Sequence, residues 1–272
     1  MEQKTQAIEW QPKTALGRKV KNKEIVNIDE ILDAGRAILE EQITDNLLSL
    51  DSELLLIGQS KGKFGGGQRR VFRQTQKKTQ EGNKPKFSTM AVVGDRNGHI
   101  GIGFGKSKDT VPAREKALRQ GKLNIMKIRR GCGSWQCNCG TSHSIPFSVT
   151  GKCGSVILKL MPAPKGKGLC IETECAKILS LAGIQDIWSK SQGQTKNRIN
   201  MITALEKALL KLSQIKIQPD HLKMLSIVEG SQIQEKQTGE AAAAAEPARG
   251  RDTRSPRHQE RKGGQKRNRK RQ

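Results

Sequence analysis

The stretch Ala91-Val92-Val93-Gly94-Asp95-Arg96-Asn97-Gly98-His99-Ile100-Gly101-Ile102-Gly103-Phe104-Gly105-Lys106 decides the fold. Asn97-Gly98 is a strong two-residue hairpin signal, because both residue types tolerate the positive φ such turns need. Downstream, Ile100, Ile102 and Phe104 alternate with glycine. That pattern predicts a strand with one apolar face and one bare face, which lets another backbone or a helix approach closely. A phosphate-cradling loop is excluded: it needs a glycine five positions before Gly105, where Ile100 stands. Upstream, residues 70–77 and 87–94 have strand composition. After Pro112, the positions Ala113, Ala117, Leu118 and Leu123 predict a helix running toward Arg129-Arg130. A further helix is expected ahead of the strands over 28–42, where Ile28, Ile31, Leu32, Ile38 and Leu39 recur at helical spacing. There Asn27 and Glu30 are placed as a capping box.

The resulting α-β-β-β-α order is the one found in double-stranded-RNA-binding domains. The second half restarts with strands at 145–150 and 153–161, joined by Thr150-Gly151-Lys152, then a basic turn from Met161 to Gly168. A helix follows with Cys175, Ile178, Leu179 and Ala182 on one face, closed by Gly183. Ile184, Ile187 and Trp188 read as a short strand. Asn197 precedes a last helix in which Ile199, Ile202, Leu205, Leu209 and Leu212 step by three and four. The chain is therefore α+β: an arm and helix over 1–50, a first domain over 51–128, a Cys-rich linker over 129–144, an α/β domain over 145–230, and a tail over 231–272. The Ala-rich, basic tail lacks the apolar surface to fold alone and is expected to be disordered until RNA is bound.

Charge narrows the function. Lys and Arg number 50 against 26 Asp and Glu, a net charge of +24. Arg249 to Gln272 holds eleven basic and two acidic residues, so the tail supplies +9 and the other 248 residues keep +15. The densest cluster is Lys61, Lys63, Arg69, Arg70, Arg73, Lys77, Lys78, Lys84 and Lys86, opposed by Glu81 and set in a glycine-rich segment that includes Gly65-Gly66-Gly67. With Arg129, Arg130, Lys165 and Lys167 it forms the candidate RNA-binding set, since a polyanion neutralises such density with release of counterions. Aromatics make up 3% of the chain and tyrosine is absent, so recognition should rest on shape and phosphate contacts, not on base stacking. No run approaches the roughly 20 apolar residues of a membrane helix, and a cytosolic location is expected.

Cys132, Cys137, Cys139 and His143 form C-x4-C-x-C-x3-H, four soft or borderline ligands within twelve residues. They could close a structural zinc site or be plain reduced cysteines in a loop. Cys153, Cys170 and Cys175 read as core residues, and His99, His221 and His258 as surface histidines. No acid/base or nucleophilic constellation is visible, so no enzyme is expected.

Several separate motifs in one order resemble the ribosomal small-subunit protein S-five family. They are 91–98, Gly101 to Lys106, Arg129-Arg130-Gly131-Cys132-Gly133-Ser134-Trp135, Val149-Thr150-Gly151-Lys152-Cys153-Gly154-Ser155-Val156 and Pro162-Ala163-Pro164. The cysteine-bearing segment resembles the archaeal form, whose eukaryotic relative is called S-two. The resemblance implies a double-stranded-RNA-binding-like N-terminal domain and a C-terminal domain with a left-handed βαβ crossover, an exception to the usual hand. It also implies ribosomal RNA as partner, the S-four protein as neighbour, messenger RNA close by where it enters the subunit, and links to decoding accuracy. The family's RNA-contacting hairpin falls here at about Arg70 to Lys86. Glu172-Thr173-Glu174 departs from the family pattern, in which a small glycine-containing turn leads into the helix. A free-standing double-stranded-RNA binder is the alternative.

Overall fold

The computed structural model describes residues 10–62 and 67–230. These belong to one structural unit, Met1–Gln234; the second, Glu235–Gln272, and with it most of the tail expected to be disordered, lies outside the described residues.

Three short helices open the chain: α1 (Ala15–Lys21), α2 (Ile28–Asp33) and α3 (Glu41–Leu47). Thr14 caps α1 by accepting from the Gly17 amide at 3.0 Å. The helix expected over 28–42 is thus two helices with a break. Gly35, at φ +65°, terminates α2, with the Arg36 amide donating to Ile31 O at 3.2 Å and the Gly35 amide to Leu32 O at 3.1 Å. This paired bonding at a left-handed glycine stops a helix whatever the apolar spacing beyond it. The capping box is absent too, because the Asn27 side chain makes no cap hydrogen bond.

Next come β1 (Asp51–Leu55), β2 (Arg73–Thr79), β3 (Gly82–Gly94), β4 (His99–Ser107), α4 (Thr110–Leu123) and β5 (Ile125–Lys127). They build one antiparallel sheet of order β1-β3-β4-β5, with β2 paired to β3 alone. β1 was not foreseen as a strand. It pairs with the inner half of β3, from Asp51↔Gly94 to Leu55↔Met90, while β2 pairs with the outer half, from Arg73↔Ser88 to Thr79↔Gly82. The expected two-residue Asn97-Gly98 turn is a four-residue loop, 95–98. The Asp95 carboxylate accepts from the Asn97 and His99 amides at 2.7 and 3.0 Å, and that local bonding sets the longer loop.

The bare face of β4 meets α4 as expected. A Cβ on Gly101, Gly103 or Gly105 would sit 2.0 Å from the carbonyl oxygen of Gly121, Ala117 or Ala113 respectively. Strand and helix therefore touch backbone to backbone. The opposite face carries Met90, Val92, Ile100 and Ile102 into the core.

After the short β6 (Arg129–Arg130) the second sheet forms from β7 (Val149–Cys153), β8 (Val156–Pro162), β9 (Leu169–Cys170) and, beyond α5 (Thr173–Leu181), β10 (Ile187–Gln192). Its order is β7-β8-β10-β9, with β9 and β10 parallel across α5. The expected connection at 150–152 lies inside β7, and the turn is Gly154-Ser155, where Gly154 adopts φ +60°. Gly151 is used for contact instead: a Cβ there would lie 1.9 Å from Ala204 O of α6 (Arg198–Gln214). Helix α5 begins cleanly despite the acidic departure, because Glu172 caps it by accepting from the Cys175 amide at 3.3 Å. Gly183, at φ +80°, closes it as expected. Helix α7 (Pro219–Met224) and β11 (Val228–Glu229), paired to β6, complete the described chain.

Apolar residues of both halves form one core. Met90, Val92, Ile100 and Ile102 cluster with Leu158, Leu160, Ile178, Leu179, Ile202, Leu205 and Leu209. The seam is tight: the Arg96 amide donates to Leu181 O at 2.8 Å, and the buried Glu174 carboxylate accepts from the Leu56 amide at 2.9 Å. A separate small cluster holds Val20, Ile28, Ile31, Ile38 and Ile43 under the N-terminal helices.

Candidate nucleic-acid interface

The β2–β3 hairpin turns at Gln80-Glu81 and is exposed along β2 and the outer half of β3. Side chains alternate across a strand, so register decides which cations share a face. Lys77 stands opposite Lys84, Thr75 opposite Lys86, and Arg73 opposite Ser88. Ser88 is in turn opposite Lys106 of β4. Arg73, Lys77, Lys84, Lys86 and Lys106 therefore line one face, and Lys78 lies on the other. Like charges placed directly across a ladder destabilise it, so the Lys77–Lys84 pair has no folding rationale. Glu81 offsets it in part, reaching Lys84 at 2.6 Å.

Lys106 was not singled out as an RNA contact; the β3–β4 register is what brings it to this face. Phe104 shares its face and is 45% exposed, an aromatic surface beside the cations that composition alone did not reveal. At the hairpin root, Arg69 and Arg73 line a cleft of about 310 Å³ together with Lys196 and Arg198. Lys196 lies just before α6 and Arg198 begins it, more than a hundred residues away, and pattern reading had no means to join them to the cluster. Lys61 and Arg70 are exposed near this root, whereas Lys63 lies outside the described residues. Lys165 and Lys167 are exposed on the β8–β9 turn, a separate place in the second sheet.

The basic pair before the linker behaves otherwise. Arg130 is 4% exposed and gives its guanidinium to the carbonyls of Asn97 at 2.8 Å, Gly230 at 3.4 Å and Arg96 at 3.5 Å. Arg129 pairs with Glu229 and donates to Leu212 O at 3.2 Å and to Ile215 O. Both brace the fold; for Arg130 this corrects the expected role as a phosphate contact, because a buried, committed guanidinium is not free to meet RNA, while Arg129 stays partly exposed.

His99 is also corrected, from surface to fully buried. Its Nδ1 lies 2.5 Å from Asp95 Oδ2 and its Nε2 2.9 Å from Asp29 Oδ1. Burial favours the neutral ring, but the bonds to Asp29 and Asp95 outweigh it and raise the pKa to about 9.

The linker gathers Cys132, Cys137, Cys139 and His143, whose ligand atoms all lie within 4.8 Å of one another, so these four could hold a metal ion. All six cysteines are free thiols. Burial raises Cys132 to about 11, while hydrogen bonding with Thr141 lowers Cys139 to about 6. Of the three expected core cysteines, Cys175 is buried and Cys153 is partly so, but Cys170 is exposed on the edge strand β9.

A cationic hairpin mounted on a two-sheet α+β frame defines a strongly basic protein. The family model for the ribosomal protein S5 N-terminal domain matches residues 71–129, and that for the ribosomal protein S5 C-terminal domain matches 151–221. The chain is similar to the small ribosomal subunit protein uS5 of Nanoarchaeum equitans, 50% identical over 226 residues, covering 83% of this chain and 97% of that protein. It is also similar to uS5 of Methanocaldococcus jannaschii, 42% identical over 82% of this chain and 96% of that one, and of Thermofilum pendens, 44% identical over 76% and 95%. The chain belongs to the ribosomal protein S5 family, whose members are structural and not enzymes, and its relatives here are archaeal.

Proposed function

We propose that the protein is a structural constituent of the small ribosomal subunit, in the cytoplasm, that grips ribosomal RNA with the β2–β3 hairpin. The observation carrying this is the one-sided row Arg73, Lys77, Lys84 and Lys86, on a hairpin whose one acidic residue is Glu81, continued by Lys106 of β4. Such a row is costly to hold without phosphate and favourable with it. Lys61, Lys63, Arg69, Arg70 and Lys78 extend the contact around the hairpin, and Lys165 and Lys167 offer a second point of attachment. On this reading the first sheet with α4 is the double-stranded-RNA-binding-like module, and the β9–α5–β10 crossover is left-handed. The partners are then S-four and messenger RNA where it enters the subunit, and the protein contributes to decoding accuracy. No helix among the described residues is long and apolar enough to cross a membrane.

The test replaces Arg73, Lys77, Lys84 and Lys86 by alanine and measures ribosomal RNA affinity against salt. Each lost phosphate contact should lower the slope of log K against log salt by about 0.9, so the variant should lose about 3 to 4 in slope and at least about tenfold in affinity. An unchanged slope would overturn the hairpin's role. Co-sedimentation of the wild type with small subunits supports the ribosomal assignment; residence in the light fractions with free duplex binding would favour the free-standing alternative.

A further inference from the structure

We propose that Cys132, Cys137, Cys139 and His143 bind one zinc ion as a closed structural site, with Asp186 as the carboxylate that orients the histidine. In a tetrahedral zinc site with Zn–S near 2.3 Å, ligand atoms stand about 3.8 Å apart. Here Cys137 Sγ is 3.8 Å from His143 Nε2, and the whole set lies within 4.8 Å, so a small contraction completes the shell.

The histidine supplies independent support. Its Nδ1 lies 2.8 Å from Asp186 Oδ2, and both residues are buried. The other Asp186 oxygen accepts from the Gly168 amide at 2.7 Å, which fixes the carboxylate in place. A proton on Nδ1 directed at Asp186 leaves the Nε2 lone pair facing Cys137, the carboxylate–histidine–metal arrangement that sets a ligand's tautomer. Two of the thiols also make long contacts with carbonyls, Cys132 Sγ to Cys137 O at 4.0 Å and Cys139 Sγ to Thr141 O at 3.7 Å.

The chain path answers the awkward Cys-x-Cys spacing. The Cys137 amide donates to Ser134 O at 3.2 Å, and Gly140 turns the backbone at φ +60° between Cys139 and His143. The linker has no helix or strand between Arg130 and Val149, only the isolated bridge Gly131↔Ser144. A closed Cys3His set of this softness selects zinc over magnesium or calcium. The ion would join the linker to the start of β10 through Asp186, and to α7 through the Cys132 amide, which donates to Leu225 O at 2.8 Å. The inference does not depend on RNA binding.

The full chain, purified under reductant and saturated with zinc, then desalted, should carry one zinc per molecule by elemental mass spectrometry. C137S/C139S should carry less than about a tenth of that. Cobalt in place of zinc should give the intense visible bands of a tetrahedral thiolate site. H143C, which keeps four ligands, should hold the metal with a spectrum shifted toward all-sulfur coordination. Should the double variant fail to fold, that cobalt comparison still decides. D186N should bind zinc about 10- to 100-fold more weakly. A wild-type chain that retains no zinc after saturation, equal zinc in C137S/C139S, or a weak octahedral cobalt spectrum overturns the proposal.

Discussion

His99 shows how much one side chain can hold. It is fully buried and clamped between Asp29 of α2 and Asp95 of the β3–β4 loop, so it ties the N-terminal helices to the first sheet. Its folded pKa of about 9 exceeds the ordinary 6.5, so the folded state binds the proton more tightly than the unfolded chain. The stability it contributes is fully present below about 6.5 and is lost as pH rises through about 9. Asp95, held below its ordinary value because the bonds to His99 outweigh its burial, works the other way, its contribution fading as pH falls. H99Q should therefore be less stable than the wild type by about 3 kcal/mol near pH 6, and the gap should close toward about pH 10. Urea denaturation at the two pH values checks this; a gap independent of pH would show that the ring acts by packing alone. None of this was legible in the sequence, because Asp29 lies 70 residues from His99 and no local pattern links them.

At the scale of elements, the joint between β4 and α4 is decided by missing side chains. Ala113, Ala117 and Gly121 recur every four residues, along one stripe of the helix, and their carbonyl oxygens fill the space above Gly105, Gly103 and Gly101. Gly103→Ala would place a methyl group 2.0 Å from Ala117 O, and backbone cannot swing aside as a long side chain can. The expected result is a loss of about 4 kcal/mol or more by denaturant unfolding, or failure to fold; a change within about 1 kcal/mol would refute the close contact. This joint was readable because alternating glycine carries its meaning locally. So were α5, closed by Gly183, and α6, with its three-and-four stepping. β1 was not, because Asp51, Ser52 and Glu53 are exposed and polar, and its strand character comes from its partner in β3. The 28–42 helix failed for the opposite reason: apolar spacing continued past a glycine whose backbone had already ended the helix. Of the interface, the cationic hairpin was legible as a cluster, but its sidedness came only with the register.

Across the whole molecule, periodicity shows which faces are apolar but not which faces meet. Met90 and Val92 of the first sheet share a core with Leu158 of the second sheet and Ile178 of α5. Removing either half would leave such side chains in water, at roughly 25 cal/mol for each Å² uncovered. Residues 10–230 should therefore unfold as one body, with far-UV circular dichroism and tryptophan fluorescence tracing coincident denaturation curves; two separated transitions would show that the halves are independent.

The same continuity gives β3 a mechanical meaning. Its 13 residues run unbroken from Gly82, beside the cationic tip, to Gly94, beside Leu181 of the buried seam. That is a rod about 40 Å long, gripped at its inner end by neighbouring strands on both sides. A pull on the tip would be carried along this continuous strand toward the junction of the two sheets, which links the place where the hairpin is held to the opposite end of the strand.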